Sequence, residues 1–301
     1  MNVPRILLLG KNGQVGWELQ RSLASLGPLI ALDRHSDTYC GDLDDPDRLA
    51  ATVATIRPHV IVNAAAYTAV DKAEAEPAQA RRINTVAVDI LARSAQACGA
   101  WLIHYSTDYV FDGSGDRPWT EQGPTGPQNV YGQTKLDGEI RVRQACERHL
   151  IFRTSWVYSA RGGNFAKTML RLAHERERLT VIDDQWGAPT GAELIADVTA
   201  HALRQVLRTQ AGAGTYHLAA AGATTWHGYA SHVVSYAQNL QRAAQWKVQG
   251  IDAVPTSAFP TPAKRPHNSR LDTTALQLAF DLHLPNWQNG VERMLDEVLI
   301  R

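Results

Sequence analysis

Short apolar runs alternate with longer stretches of helical periodicity through the first half of the chain. Residues 4–9 form an apolar run ending in Gly10, and Lys-Asn-Gly-Gln-Val-Gly-Trp-Glu-Leu-Gln then opens a helix-like pattern, which predicts strand, tight turn and helix. Residues 29–32 and 60–63 read as further strands, with a helix over 46–56 between them and a long one over about 77–98. A strand at 101–106 leads through a loop at 113–129, rich in Gly, Pro, Gln and Asn, to a helix over 131–147 and a strand at 150–154. Strands that alternate with helices imply parallel crossovers, hence a doubly wound parallel sheet. Beyond residue 155 the rhythm changes. Helices are expected at 163–177, 191–209 and 225–243, strands at 179–182 and 215–218, a proline-studded loop from Pro255 to Arg270, and a last amphipathic helix at 286–300. The expected division is a dinucleotide-binding domain over 1–155, to which later segments are free to return, and a substrate domain formed mainly by 156–301.

Composition narrows the partners. The 301 residues suffice for one large α/β unit or two modest domains. Thirty basic and thirty acidic side chains give no formal net charge, so no overall attraction to nucleic acid or to an anionic membrane is expected, and a small-molecule partner fits better. No apolar segment approaches membrane-spanning length, and the opening run is too short for a signal peptide. Cys40, Cys98 and Cys146 form an odd, scattered set, expected to be reduced thiols in a cytoplasmic protein.

Two stretches carry the candidate chemistry. Gly10, Gly13 and Gly16 sit where a strand turns into a helix: the first permits the turn, the second admits a pyrophosphate to the backbone, the third lets helix and sheet pack closely. The free N–H groups of the helix start then face the anion. Asp33, ending the second strand, is placed to hydrogen-bond an adenosine ribose, which favours NAD; Arg34 beside it offers a partner for a 2′-phosphate, so NADPH and NADH both stay open. Asp42 and Leu43 are expected near the adenine, Asp42 alternatively as a helix cap, and the small side chains of Ala64, Ala65 and Ala66 suit a flat cofactor at a strand end. The second stretch joins Tyr105–Asp112 to Tyr131-Gly-Gln-Thr-Lys135. Four residues apart on a helix, Tyr131 and Lys135 share a face. A fixed ammonium there is expected to lower the phenol toward neutrality, and Thr107 offers a hydroxyl to the same reacting oxygen.

Gly10–Gly16, Asn63–Glu74, Ser106–Asp112, Tyr131–Lys135, Arg153–Tyr158 and Asp184–Thr190 together closely resemble the dTDP-4-dehydrorhamnose reductases of the extended short-chain dehydrogenase/reductase group, in order and over nearly the whole chain. The resemblance implies a Rossmann-type sheet and reduction of the C4 ketone of a dTDP-sugar by NADPH or NADH. It makes Tyr131 the proton donor, Lys135 the holder of the nicotinamide ribose and Thr107 the group that polarises the ketone. Gly13, Gln14, Val15, Asp33, Asp42, Leu43, Ala64, Ala65, Ala66 and Tyr105 would meet the cofactor; Thr107, Asp108 and Trp156 would meet the sugar nucleotide, and Arg265 its diphosphate. It also implies Mg²⁺ on Glu18, Glu193 and Glu297 near a subunit contact, and a homodimer. Nucleotide-sugar 4,6-dehydratases commonly carry an acidic pair after the threonine; here Asp108 is followed by Tyr109, which favours reduction. The competing readings are a related epimerase and a non-catalytic subunit that holds a dinucleotide.

Overall fold

The computed structural model describes residues 3–241 and 244–300. Strands β1 (Ile6–Leu9), β2 (Leu29–Leu32), β3 (Val60–Asn63), β4 (Trp101–Thr107) and β5 (His149–Thr154) join Gly214–His217 in one six-stranded sheet. Its order is Gly214–His217, β5, β4, β3, β1, β2, with every pair parallel. The chain winds one way from β1 to β2 and the other way from β3 onward, and such a reversal opens a crevice at the carboxyl ends of the strands. Register carries Leu9 beside Asn63 and Asn63 beside His104. Gly10, Ala64 and Tyr105 therefore emerge at the same end.

Both faces of the sheet are covered, which is why its strands read as unbroken apolar runs. Ile6, Leu8, Val60, Val62, Ile103 and Phe152 point to Leu19 and Leu23 of the Gln14–Ala24 helix and to the Ala192–Thr209 helix. Leu7, Leu9, Ile61, Leu102 and Ile151 point the other way, to the helices Pro46–Ile56 and Ala87–Cys98. Each such burial contributes roughly 1.5–3 kcal/mol. A second core gathers Met169, Val233, Val291 and Leu295 from the helices Phe165–Glu175, Trp226–Leu240 and Trp287–Leu299. Those helices lie with the parallel pair Arg178–Ile182 and Gly250–Val254. Between the two, Ile195, Leu203, Leu276 and Phe280 pack in the same cluster as Ile6 and Leu8, so segments late in sequence lie against the first sheet.

Several elements depart from the sequence expectation. The Pro46–Ile56 helix is capped by Asp45, whose Oδ1 accepts from Arg48 N at 3.2 Å; Asp42 instead takes the Asp44 N–H at 3.0 Å. The stretch expected as one helix over 77–98 is interrupted by a π-helical turn, Arg82–Val86. Within it Asn84 Oδ1 accepts from Tyr67 N, and Asn84 Nδ2 donates to Tyr67 O and Thr134 Oγ1. A Cβ added to Gly138 would meet Asn84 O at 2.3 Å, so the Val130–Ala145 helix can lie this close only with glycine there. Val70–Ala75, Thr274–Phe280 and Gly250–Val254 were not expected as regular elements. The 225–243 helix is Trp226–Leu240, and residues 242 and 243 lie outside the described residues.

Candidate active site

Of the three glycines in the first turn, two are demanded by the protein itself. Gly10 has φ +86°, and a Cβ there would meet Ala65 N at 2.8 Å; at Gly16 a Cβ would meet Gly10 O at 2.0 Å. Gly13 is different, with φ −70° and a nearest contact of 3.4 Å, which is ordinary. No contact inside the protein requires glycine at 13, so a ligand can approach the backbone there. Gly13 is also the N-cap of the Gln14–Ala24 helix, with no side-chain cap and no acid in the first turn, leaving its N–H groups for an anion. Asp33 takes His35 N–H and the Ser36 hydroxyl on Oδ1 and the Asn12 amide on Oδ2. Burial pushes its carboxyl up, but those bonds and Lys11, 4.0 Å away, hold it below its ordinary value. The donor set fits a dinucleotide: a glycine turn, an open helix start, a fixed carboxylate, and the Ala64–Ala65 backbone against Gly10.

Gln14, Val15, Leu43 and Ala66 complete the expected cofactor set in different ways. Gln14 Oε1 accepts from Ser159 Oγ at 3.2 Å, tying the turn to the second half of the chain. Val15 packs on the first core, Leu43 is buried in the second face of the sheet, and Ala66 is exposed. Tyr105 bonds Thr199 through its hydroxyl at 2.7 Å, and its backbone carbonyl is the part that reaches Lys135.

Thr107 ends β4 and Tyr131 opens the Val130–Ala145 helix, whose N-cap Asn129 accepts from Gly132 N at 2.8 Å. Their side chains meet: a hydrogen bond with Thr107 lowers the Tyr131 pKa, although burial, the larger effect, and the Asp108 charge raise it to about 12. This reverses the expected downward shift. The physical reason is burial of the phenol, while Lys135 is directed elsewhere, its Nζ donating to Tyr105 O at 2.6 Å and lying 3.3 Å from His104 Nε2. Burial brings Lys135 down to about 8, opposed by Glu139 one turn along the helix. A phenol held protonated is the correct resting form for a proton donor, and a developing alkoxide is basic enough to take its proton.

Asp108 is 2 % exposed, and burial pushes its carboxyl up to about 6 against hydrogen bonds from Ser269 and Thr107. Its Oδ2 has no partner among the described residues, an orphaned acceptor in a site with a hydroxyl and a phenol. Trp156 adopts φ +49°, rare for a bulky residue, and stacks on Trp226 at 3.6 Å above Gly187, where a Cβ would meet the indole at 2.6 Å. Arg265 donates to both carboxylate oxygens of Asp71, at 3.2 and 2.7 Å; the guanidinium expected on a diphosphate is paired within the protein here. Two of the glutamates that the resemblance names for Mg²⁺, Glu18 and Glu193, are engaged with cations of this chain. Burial, then the charges of Glu18 and Glu297, push Glu193 up, but Glu193 pairs with Arg293 and Glu18 lies 3.6 Å from Arg21. Among the described residues no three His, Cys, Asp or Glu side chains could hold a metal ion.

Comparison with known proteins settles the family. Residues 4–300 match the family described as the RmlD substrate binding domain. The dTDP-4-dehydrorhamnose reductase of Shigella flexneri is 60% identical over 293 residues, 97% of each chain. The chain belongs to the dTDP-4-dehydrorhamnose reductase family. Another member, from Burkholderia thailandensis, is 48% identical over 98% of this chain and 99% of its own. The crystal structure of the Bacillus anthracis reductase in complex with NADP is 34% identical, with TM-score 0.86 over 98% of this chain and 99% of that one. Membership agrees with the Rossmann-type sheet. No helix among the described residues is long and apolar enough to cross a membrane.

Sequence reading missed several neighbours of this site. Asn63 and His104 stand behind Lys135, Ser269 beside Asp108, and Asp71 on Arg265. Only Asn63 had a local signal, a polar residue closing a buried strand.

Proposed function

We propose that this chain reduces the C4 ketone of dTDP-4-dehydro-β-L-rhamnose to dTDP-β-L-rhamnose, the last step of dTDP-L-rhamnose synthesis, with NADPH or NADH as reductant. The observation that carries the reading is the meeting of Thr107 and Tyr131 at the carboxyl end of β4, with Lys135 buried on the same helix. Bound nicotinamide supplies the hydride. Gly10, Gly13 and the start of the Gln14–Ala24 helix would cradle the pyrophosphate, and Asp33 would take the adenosine ribose. The Thr107 hydroxyl and Tyr131 phenol converge on one ketone oxygen, Thr107 polarising it and Tyr131 giving it a proton as the alkoxide develops. Asp108 and Trp156 would hold the sugar. For the coenzyme, Lys11 and Arg34 around Asp33 and the NADP held by the Bacillus anthracis relative support NADPH as well as NADH. Three free thiols support a cytoplasmic setting, and the family resemblance a homodimer.

Retention of all three proton-handling groups favours catalysis over a dinucleotide-holding subunit, and stoichiometric loss of reduced cofactor distinguishes reduction from epimerisation. The test supplies dTDP-4-dehydrorhamnose with each reduced nicotinamide and follows cofactor absorbance. Tyr131→Phe is expected to keep cofactor affinity and lower kcat by about 10²–10⁴. Near-normal turnover in that variant would reject the role given to Tyr131.

A further inference from the structure

Behind Lys135, β3 and β4 supply two buried polar side chains that the reaction above leaves unused. Asn63 and His104 are register partners on adjacent strands, each 1 % exposed. Asn63 Nδ2 lies 3.2 Å from His104 Nδ1, and Lys135 Nζ lies 3.3 Å from His104 Nε2. The Asn63 amide is oriented independently, because its Oδ1 accepts Ala65 N–H at 3.2 Å where β3 turns out of the sheet. Its NH₂ therefore faces the imidazole, and Nδ1 must be an acceptor. A neutral imidazole then carries its proton on Nε2. That N–H is aimed at Lys135 Nζ.

The donor count now bears on Lys135. An ammonium has only donors, so it meets the His104 Nε2–H donor to donor. A neutral amine accepts that N–H through its lone pair and still gives an N–H to Tyr105 O at 2.6 Å. Turning the Asn63 amide over to relieve the conflict would set its NH₂ against Ala65 N–H instead. An imidazolium is opposed by the Asn63 NH₂ and by burial, which holds His104 well below its ordinary value.

We propose that Asn63 locks His104 as the Nε2–H tautomer, and that His104 is thereby a positioning residue that favours the neutral amine of Lys135 over a permanent ammonium. When the Lys135 ammonium gives one proton to solvent water, an N–H bond breaks, an O–H bond forms on the water, and the lone pair left on Nζ takes the His104 N–H. On its own helix Glu139 favours the ammonium, while its charge is shared with Arg153 from β5 and with Arg143, and Tyr131, one turn earlier, is held protonated. β3 contributes only the neutral Asn63. Burial acts in the same sense as His104, bringing Lys135 to about 8.

This inference rests on the reductase reading for its purpose but not for its test. Protein labelled with ¹⁵N-histidine, with His104 assigned by comparison with His104→Gln, is expected to show the proton on Nε2 and a bare Nδ1. A proton on Nδ1 overturns the proposal. In Asn63→Asp the carboxylate accepts from Nδ1–H and frees Nε2 to accept from the ammonium. Lys135, followed through its ¹³Cε shift, should then titrate about one pH unit or more higher, the freed Nε2 and the new carboxylate acting in the same sense; an unmoved or lowered titration in a folded Asn63→Asp protein also overturns it. The expected tautomer and shift without any turnover would sink the reductase reading alone.

Discussion

Replacing Arg153 by Met strands a carboxylate inside the protein. Arg153 Nε and Nη2 donate to Glu139 Oε1 and Oε2 at 2.9 and 2.7 Å, with side chains only 4 % and 0 % exposed. Removing one partner of such a pair costs about 3–5 kcal/mol, because the other charge stays buried. Arg143 still reaches Oε2 at 3.0 Å from a side chain 38 % exposed, so the expected loss lies near the lower end, about 3 kcal/mol. Glu139→Gln combined with Arg153→Met removes both charges and should recover most of it. The pH dependence gives the sharper check. In the wild type burial pushes Glu139 up, but Arg153 outweighs it and holds the carboxyl below its ordinary value. A depressed folded value means the stabilisation is complete above the unfolded pKa, about 4.3, and is lost as pH falls through the folded one. Without Arg153 burial dominates, the carboxyl moves up, and the sign reverses: Arg153→Met should be worst at neutral pH and regain ground on the wild type as pH falls toward about 5. Urea midpoints at the two pH values measure this. A deficit under about 1 kcal/mol, or one that does not change with pH, would refute the claim that this pair is desolvated.

Other perturbations separate packing from ligand binding. Gly16→Ala places a methyl 2.0 Å from Gly10 O and should lower Tm and cofactor affinity together. Gly13→Ala meets nothing closer than 3.4 Å, so Tm should hold while dinucleotide affinity, read by NADPH titration, falls at least tenfold, about 1.4 kcal/mol. Burial pushes the Asp108 carboxyl up from its ordinary range to about 6, so burying its charge makes the fold lose stability as pH rises from about 4 to 6. Asp108→Asn should remove that loss and raise stability at neutral pH by on the order of 3 kcal/mol, seen as a higher Tm at pH 7.5 with no gain at pH 4. Asp71→Asn releases Arg265 from its bidentate partner; if Arg265 meets the sugar-nucleotide diphosphate, KM should fall, and an unchanged or raised KM would argue for a purely structural pair.

What the sequence discloses here follows the range of the forces involved. Gly10, Thr107 and Tyr131 are set by local events, a strand ending or a helix beginning, and the doubly wound order follows from apolar runs buried on both faces. Gly250–Val254 is not legible, because its partner Arg178–Ile182 lies far back in sequence and its own residues are mostly half-buried. The π-turn at Arg82–Val86 is equally hidden: it serves Asn84, whose partners Tyr67 and Thr134 come from two other segments. The direction of the Tyr131 shift is the instructive case. Spacing places Lys135 on the same helix face and invites the conclusion that its charge lowers the phenol. Yet Lys135 Nζ is hydrogen-bonded to the Tyr105 carbonyl and faces an imidazole oriented from the neighbouring strand, and burial of the phenol is the larger effect. Desolvation then decides the sign, and desolvation depends on every element packed around the ring. A motif names the groups that meet; whether each meets the other charged or neutral is set by residues such as Asn63 and Glu139 that the motif does not contain.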